Sequence, residues 1–304
     1  MKKFAQKTIL LTSFFYIISF SPLFSQVSFD EQVEKFADVM NKSLPFASSM
    51  GLNWSVPYIG QLLGYPVHFG IGISLISTFT DNTEIAALGE QMGITIDESF
   101  IAGNQWFPSY IVSFRLGGIA EIPFDVGFKF GYLPDVPMWG SLDYKTSIYG
   151  FDINYALFVR RDFTPILAVG VGFDSIEGGA TGTLTTVPAD PSMAAVTVDS
   201  PAYMIWKSTT YKAKISFAQP VLFTGMSIFG GLQMGYSTSE AGINIGEEKN
   251  APDYQNAFSN SSFSVSGYFG LGILLGPWYL DQSIMLNLTS SFDVGFCIGF
   301  RYQP

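Results

Sequence analysis

The chain has 304 residues, of which 48% are hydrophobic, 16% aromatic and only 13% charged, with a formal net charge of −10. A soluble domain carries about 25% charged residues, so much of this surface does not face water; yet past the first 25 residues no apolar run reaches the ~20 residues of a membrane-crossing helix, which argues against a helical membrane protein. The acidic balance argues against nucleic acid as a partner, because phosphate binding needs clustered Lys and Arg.

Residues 1–25 read as a secretory signal peptide: Lys2, Lys3 and Lys7 form a basic start, an apolar stretch follows from Ile9 to Phe24, and Ser25 supplies a small residue for cleavage. The alternative is a retained anchor. Cleavage removes three of the 15 basic residues and none of the 25 acidic ones, leaving a net charge of about −13. The single cysteine, Cys297, excludes an internal disulfide framework and a Cys-based metal site. No cofactor is expected.

Residues 26–64 form an N-terminal segment. Within it, 29–44 read as a helix, with Val33, Phe36, Ala37, Met40 and Leu44 recurring at helical spacing. Asp30, Glu31 and Glu34 near its start suit the helix dipole. Val33, Phe36, Met40 and Leu44 would be the apolar face of a lumen plug. The plainer reading, a lead-in helix packed beneath a barrel, is the preferred one.

From residue 65 to 304 the dominant signal is period-two alternation. Tyr149, Phe151, Ile153, Tyr155, Leu157 and Val159 oppose Gly150, Asp152, Asn154 and Ala156, with Phe158 as the exception. Phe124, Val126, Phe128, Phe130 and Tyr132 oppose Asp125, Gly127, Lys129 and Gly131, and the final run from Phe292 to Tyr302 is equally regular. The spacing predicts about ten strands, within roughly 8–12, at 65–77, 107–118, 124–133, 143–159, 164–175, 201–218, 221–237, 262–275, 278–289 and 292–303. Such strands exceed the roughly 5–6 residues usual in globular proteins and suffice for the about 9–11 that a tilted strand needs to cross a bilayer. Their polar faces carry Gly and Ser more than Lys and Glu, as a narrow lumen requires. Aromatic residues gather near strand ends, as in the interfacial girdles of membrane barrels: Trp106, Phe107, Tyr132, Trp139, Tyr203, Trp206, Trp278 and Tyr279. The expected fold is all-β, a closed antiparallel transmembrane β-barrel preceded by a short helix.

The joins alternate in length. Short ones fall at 120–123, 160–163, 219–220 and 276–277; longer ones fall at 78–106, 134–142, 176–200 and 238–261. If 65–77 runs outward, every short join lies in the periplasm. The short join at Ser290-Ser291 breaks the pattern, as a simple hairpin or as a sign that the last two strands are miscounted. A short helix is expected at 82–92 in the first long join. The 176–200 join, rich in Thr, could continue its flanking strands as a hairpin beyond the membrane. Glu240, Glu247, Glu248 and Asp253 read as a solvated acidic loop, without the spacing of a calcium loop.

The candidate lumen lining is His68, Arg115, Asp125, Lys129, Asp152, Asp174, Lys212, Lys214, Asp293 and Arg301, with Asp143, Lys145 and Asp281 also assigned inward. Both signs are present, so these residues could set solute selectivity or could fill a narrow closed barrel with salt bridges. His68 is the sole histidine, which excludes a His-based metal site. No Gly-x-Ser-x-Gly sequence accompanies it, so it reads as a lumen residue rather than a catalytic one.

The ending Phe292-Asp-Val-Gly-Phe-Cys-Ile-Gly-Phe-Arg-Tyr302 resembles the terminal strand of bacterial outer-membrane proteins, although the chain continues to Gln303-Pro304. The stretch 123–134 together with Tyr149–Tyr155 resembles uncharacterised spirochaete-type outer-membrane barrels. That resemblance implies an outer-membrane location and, as partners, the lipid bilayer and the barrel assembly machinery. It carries no catalytic residues. The function expected is a channel or transporter for small solutes or hydrophobic molecules. The alternative is a structural or surface-contact protein with a closed lumen; an enzyme is not expected.

Overall fold

The computed structural model describes residues 34, 37, 38, 41, 43–60, 68–80, 105–118, 122–133, 143–158, 165–186, 198–221, 224–245, 257–289 and 293–304. Ten strands succeed one another: β1 (Phe69–Thr80), β2 (Gln105–Gly117), β3 (Phe124–Leu133), β4 (Asp143–Phe158), β5 (Ile166–Thr186), β6 (Val198–Val221), β7 (Met226–Ile245), β8 (Ala257–Leu275), β9 (Trp278–Asn287) and β10 (Val294–Tyr302). Each pairs antiparallel with its sequence neighbours, and β1 closes on β10 from Ile71 opposite Tyr302 to Phe79 opposite Val294. Closure leaves no edge, so the wall can satisfy its own backbone groups in hydrocarbon.

Alternation decides which face looks where. Phe130 (64% exposed), Ile73 (61%), Val171 (60%) and Ile298 (53%) point outward, while Gly70, Ser74, Lys129, Asp152 and Ser216 point inward and are buried. On β6 the outward face is apolar from Tyr211 to Val221 except at Gln219, about 33 Å of strand, or about 25 Å of height at a tilt of about 40°, which matches the apolar band of outer-membrane barrels. Tyr110, Tyr132, Tyr149, Tyr211, Tyr236 and Phe263 face outward on the side of the long joins, and Tyr155 and Trp278 on the side of the short ones. Trp206 and Tyr279, assigned to this girdle from sequence, instead face the lumen: Trp206 is 4% exposed, and Tyr279 lies beneath the Arg301 guanidinium. Each sits one residue from an outward position, and that single step reverses the face.

Strand lengths are uneven. β1–β3, β9 and β10 have 9 to 13 residues, whereas β5–β8 have 19 to 24. Within the 176–200 and 238–261 joins, residues 176–186, 198–200, 238–245 and 257–261 are therefore strand, and a four-stranded wall rises past the aromatic girdle. Its outward face turns polar there, with Lys207, Thr238, Glu240 and Ser259 exposed. Lys145 belongs to this level too: it is exposed, opposite Gly179, and does not line the lumen as expected. Asp143 is described only by its place opposite Thr181. The expected helix at 82–92, and Glu247, Glu248 and Asp253, lie outside the described residues.

Two irregularities mark turns of the chain. The ladder between β4 and β5 shifts at Ala156/Phe158, so Leu157 and Phe158 both face outward. The join after β9 is a true hairpin, not a miscount: the Asn287 amide donates to the Asp293 carbonyl at 3.0 Å, and Asn287 Nδ2 to Asp293 Oδ2 at 3.1 Å.

An arginine on the outward face costs about 2–4 kcal/mol at the bilayer midplane and about 0–1 near the interface. Ile215→Arg, in the middle of the apolar band, should lose the former, and Thr238→Arg, above the girdle, the latter. Urea unfolding in phospholipid vesicles reads both; equal costs would mean that the band is not where the membrane lies.

Candidate functional site: a strapped lumen

The lumen is occupied by the chain itself. Residues 43–49 are helical, as are Glu34, Ala37, Asp38 and Asn41, and 50–60 continue as an irregular strap. Asn260 Nδ2 on the tall wall donates to Asp38 Oδ1 at 3.1 Å, at the end of the long joins. The Gly118 amide, at the other end, donates to the Gly60 carbonyl at 3.2 Å. The strap therefore crosses the whole barrel before β1 begins. The described part of the N-terminal segment lies inside the wall, not beneath it as the preferred sequence reading had it. Leu44 is buried in the apolar cluster with Ala37, Phe46 and Met50; Val33, Phe36 and Met40 lie outside the described residues.

The wall receives the strap through its charges. Lys129 Nζ donates to the carbonyls of Ser48 and Met50, the latter at 2.6 Å. Arg115 donates to the carbonyls of Leu52 at 3.0 Å and Pro57 at 3.2 Å. Asp281 Oδ2 accepts from the Ser55 amide at 3.3 Å, and Asp125 Oδ2 from the Ile59 amide at 2.9 Å. Arg301 Nη2 donates to Ser55 Oγ at 2.6 Å. The Trp54 ring lies against two guanidiniums, Arg115 at 5.2 Å and Arg301 at 4.8 Å, each contact worth up to about 2 kcal/mol when desolvated. Irregular backbone has no ladder of its own, so these side chains supply the partners that its buried carbonyls and amides need.

The same residues pair with one another. Asp152 bridges Arg115, at 3.4 Å, and Lys214. Arg115 also faces Asp125 at 3.4 Å, and Asn154 Nδ2 donates to Asp125 at 2.8 Å. Higher up, Asp174 joins Lys129 at 2.8 Å and Lys212 at 2.6 Å. On the neighbouring strands β10 and β9, Arg301 pairs with Asp281 at 2.8 Å. Nine of the ten lumen residues named from sequence are buried inward-facing groups; Asp293 sits apart from the others at the β9–β10 hairpin. His68 is displaced from its expected strand position: it lies just ahead of β1, half-buried at the rim, its carbonyl accepting from the Gly117 amide at 3.1 Å.

Sequence reasoning missed an apolar belt on the inward face. Cys297 opposes Ile76 on the β10–β1 ladder; Ile111, Gly131, Ile148 and Ile176 continue the belt through β2–β5. The strap packs on it at Gly51, where φ is +96° and a Cβ would fall 2.9 Å from Ile111 Cδ1. Other close approaches fall where the wall has glycine: a Cβ at Gly70 would meet the Trp54 ring at 2.6 Å, and one at Gly272 would meet Ser55 Cβ at 2.4 Å. The signal was present as isoleucines interrupting an otherwise polar parity.

Removing one partner of a buried ion pair costs about 3–5 kcal/mol, because the other charge is stranded. Asp152→Ala strands Lys214, takes from Arg115 one of its two carboxylates, and should destabilise the barrel by that amount in urea unfolding, while Asp152→Ala with Lys214→Ala should recover part of the loss. A loss under about 1 kcal/mol for the single variant would show these charges to be solvated.

No family model matches the chain, and no curated relative matches it. Solved structures do. The translocator domain of the autotransporter NalP from Neisseria meningitidis aligns at 10% identity over 86% of this chain and 94% of that one, with a TM-score of 0.40. The outer-membrane protease OmpT from Escherichia coli aligns at 10% identity over 78% and 97%, with a TM-score of 0.46. The toluene transporter TbuX from Ralstonia pickettii aligns at 10% identity over 78% and 89%, with a TM-score of 0.30. These matches do not bear on the narrower likeness to spirochaete-type barrels. The closed ten-stranded antiparallel wall with an apolar outer band has the architecture of a transmembrane β-barrel.

Proposed function

We propose that the protein is an outer-membrane channel for small solutes, shut at rest by its own N-terminal strap and opened when the strap moves. One observation carries this reading: the lumen charges bond the strap's backbone, through Lys129, Arg115, Asp281 and Asp125, as well as each other. A strap held by separate polar contacts rather than by strand pairing can leave without opening the wall. The wall charges it would uncover, of both signs, are those of a conduit for polar solutes. The strap's attachment to β1 at the short-join end keeps it tethered. The reading assigns no catalytic residue, and its partners are the bilayer and the assembly machinery that inserts barrels.

A closed structural barrel is the second reading. It is favoured by the mutual pairing of the lumen charges, which gives each of them a counter-ion whether or not anything passes. The two differ in what happens when the strap is loosened. Gly70→Val and Gly272→Val together place methyl groups where Trp54 and Ser55 now sit. In a planar bilayer the native protein should be mostly silent, and the double variant should open at least about tenfold more often, the equivalent of roughly 1.4 kcal/mol of lost strap contact. A variant that keeps the heat-modifiable gel mobility of a folded barrel yet never conducts would leave the structural reading standing.

A further inference from the structure

Beneath the strap, at the short-join end, lies a cavity of about 480 Å³. Its roof is the end of the strap, Tyr58, Ile59 and Gly60; its wall is Ile166, Ala218, Met226 and Leu274 from β5–β8. Tyr58 and Ile166 belong to one buried apolar cluster, so roof and wall are packed together. The volume falls in the range of about 300–1,000 Å³ typical of small-molecule sites.

The lining carries a chemical preference. Among the described residues no Asp, Glu, Lys or Arg lines the cavity; the polar groups there are His68, Tyr58, Tyr279, Gln303, Ser55 and Ser227. An ion entering would lose its hydration with no countercharge to replace it. The neighbouring charges are already engaged, Arg301 with Asp281, Ser55 and Gln303, and Asp125 with the Ile59 amide. His68 is fixed in place. Its carbonyl and that of Gly60 accept from the successive amides of Gly117 and Gly118. Gly60, at φ +103°, lets the strap run so close that a Cβ there would lie 2.7 Å from the imidazole carbons. The ring's Nδ1 is buried and meets no hydrogen-bond partner among the described residues. That nitrogen has almost no contact with open space, so a ligand meets His68 at the part of the residue that lines the cavity.

We infer that this vestibule is a binding site for a neutral, mostly apolar small molecule carrying one hydroxyl-type hydrogen-bonding group, which packs on Ile166, Ala218 and Leu274 and bonds His68. This rests on the plugged-channel reading and names a ligand that meets the strap from below, distinct from the polar solutes that the charged lumen above would pass. Because the roof is the strap, occupancy and strap position are linked: a ligand that touches Tyr58 and Ile59 biases the strap's equilibrium by its differential affinity for the two positions.

The test is a fluorescence titration of the full chain in detergent with 1-naphthol, against protein-free micelles, with naphthalene and 1-naphthalenesulfonate for comparison. The native protein should bind 1-naphthol saturably at one site, more tightly than naphthalene, and the sulfonate should not compete. Ala218→Phe, which fills the cavity away from the polar contacts of the strap, should weaken binding about tenfold or more. His68→Phe should abolish the preference for naphthol over naphthalene. Undiminished binding in Ala218→Phe, or competition by the sulfonate equal to that of naphthol, would overturn the site; should His68→Phe fail to fold, Ala218→Phe decides alone. Binding without any conductance would count against the transport reading and leave the site, whereas conductance without binding would remove the site alone.

Discussion

A backbone in hydrocarbon must find every hydrogen-bond partner within the protein, and the ten strands meet that demand only because β1 closes on β10. Everything else follows from closure. The outward side chains have to satisfy lipid, and they do so with Phe130, Val171 and Ile298. The inward ones are sealed into a space too narrow to be bulk water and too polar to be a hydrocarbon core. Charges placed there must be paired, and irregular chain placed there must be given partners from the wall.

Both requirements meet in the same residues. Lys129 and Arg115 answer to Asp174, Asp125 and Asp152 and also to four carbonyls of the strap. Buried ion pairs by themselves are weak sources of stability, since desolvation offsets most of the attraction. Their value here lies in specificity: they fix where the strap runs. Glycine completes the fit from the wall side, at Gly70 against Trp54 and at Gly272 against Ser55, where any side chain would stand in the strap's path.

Most of the wall was legible in the sequence because alternation is a local property. β3 begins and ends where the pattern did, and even the misfit Phe158 marked a real bulge. The rise of β5 and β6 was expected from the Thr-rich 176–200 join, whereas the matching rise of β7 and β8 was read as an acidic loop, because there the outward face turns polar and the apolar alternation ends. Alternation could not assign Trp206 and Tyr279, which sit beside the girdle positions but one step out of phase. The lumen residues were identified by parity, yet their pairing was not, since it joins residues up to 62 apart in sequence, as in Lys214 with Asp152. The strap was the least legible part. Between residues 50 and 60 it has no period, and its partners are spread over β1, β2, β3, β8, β9 and β10.

The occupied lumen is tested most directly by asking what Trp54 touches in the membrane. With benzoylphenylalanine in place of Trp54, irradiation of the barrel in lipid vesicles, followed by proteolysis and mass spectrometry, should yield crosslinks to β1 and β10, in peptides containing Gly70 and Arg301. Crosslinks confined to lipid or to other molecules, with none to the inner wall, would contradict a strap inside the barrel.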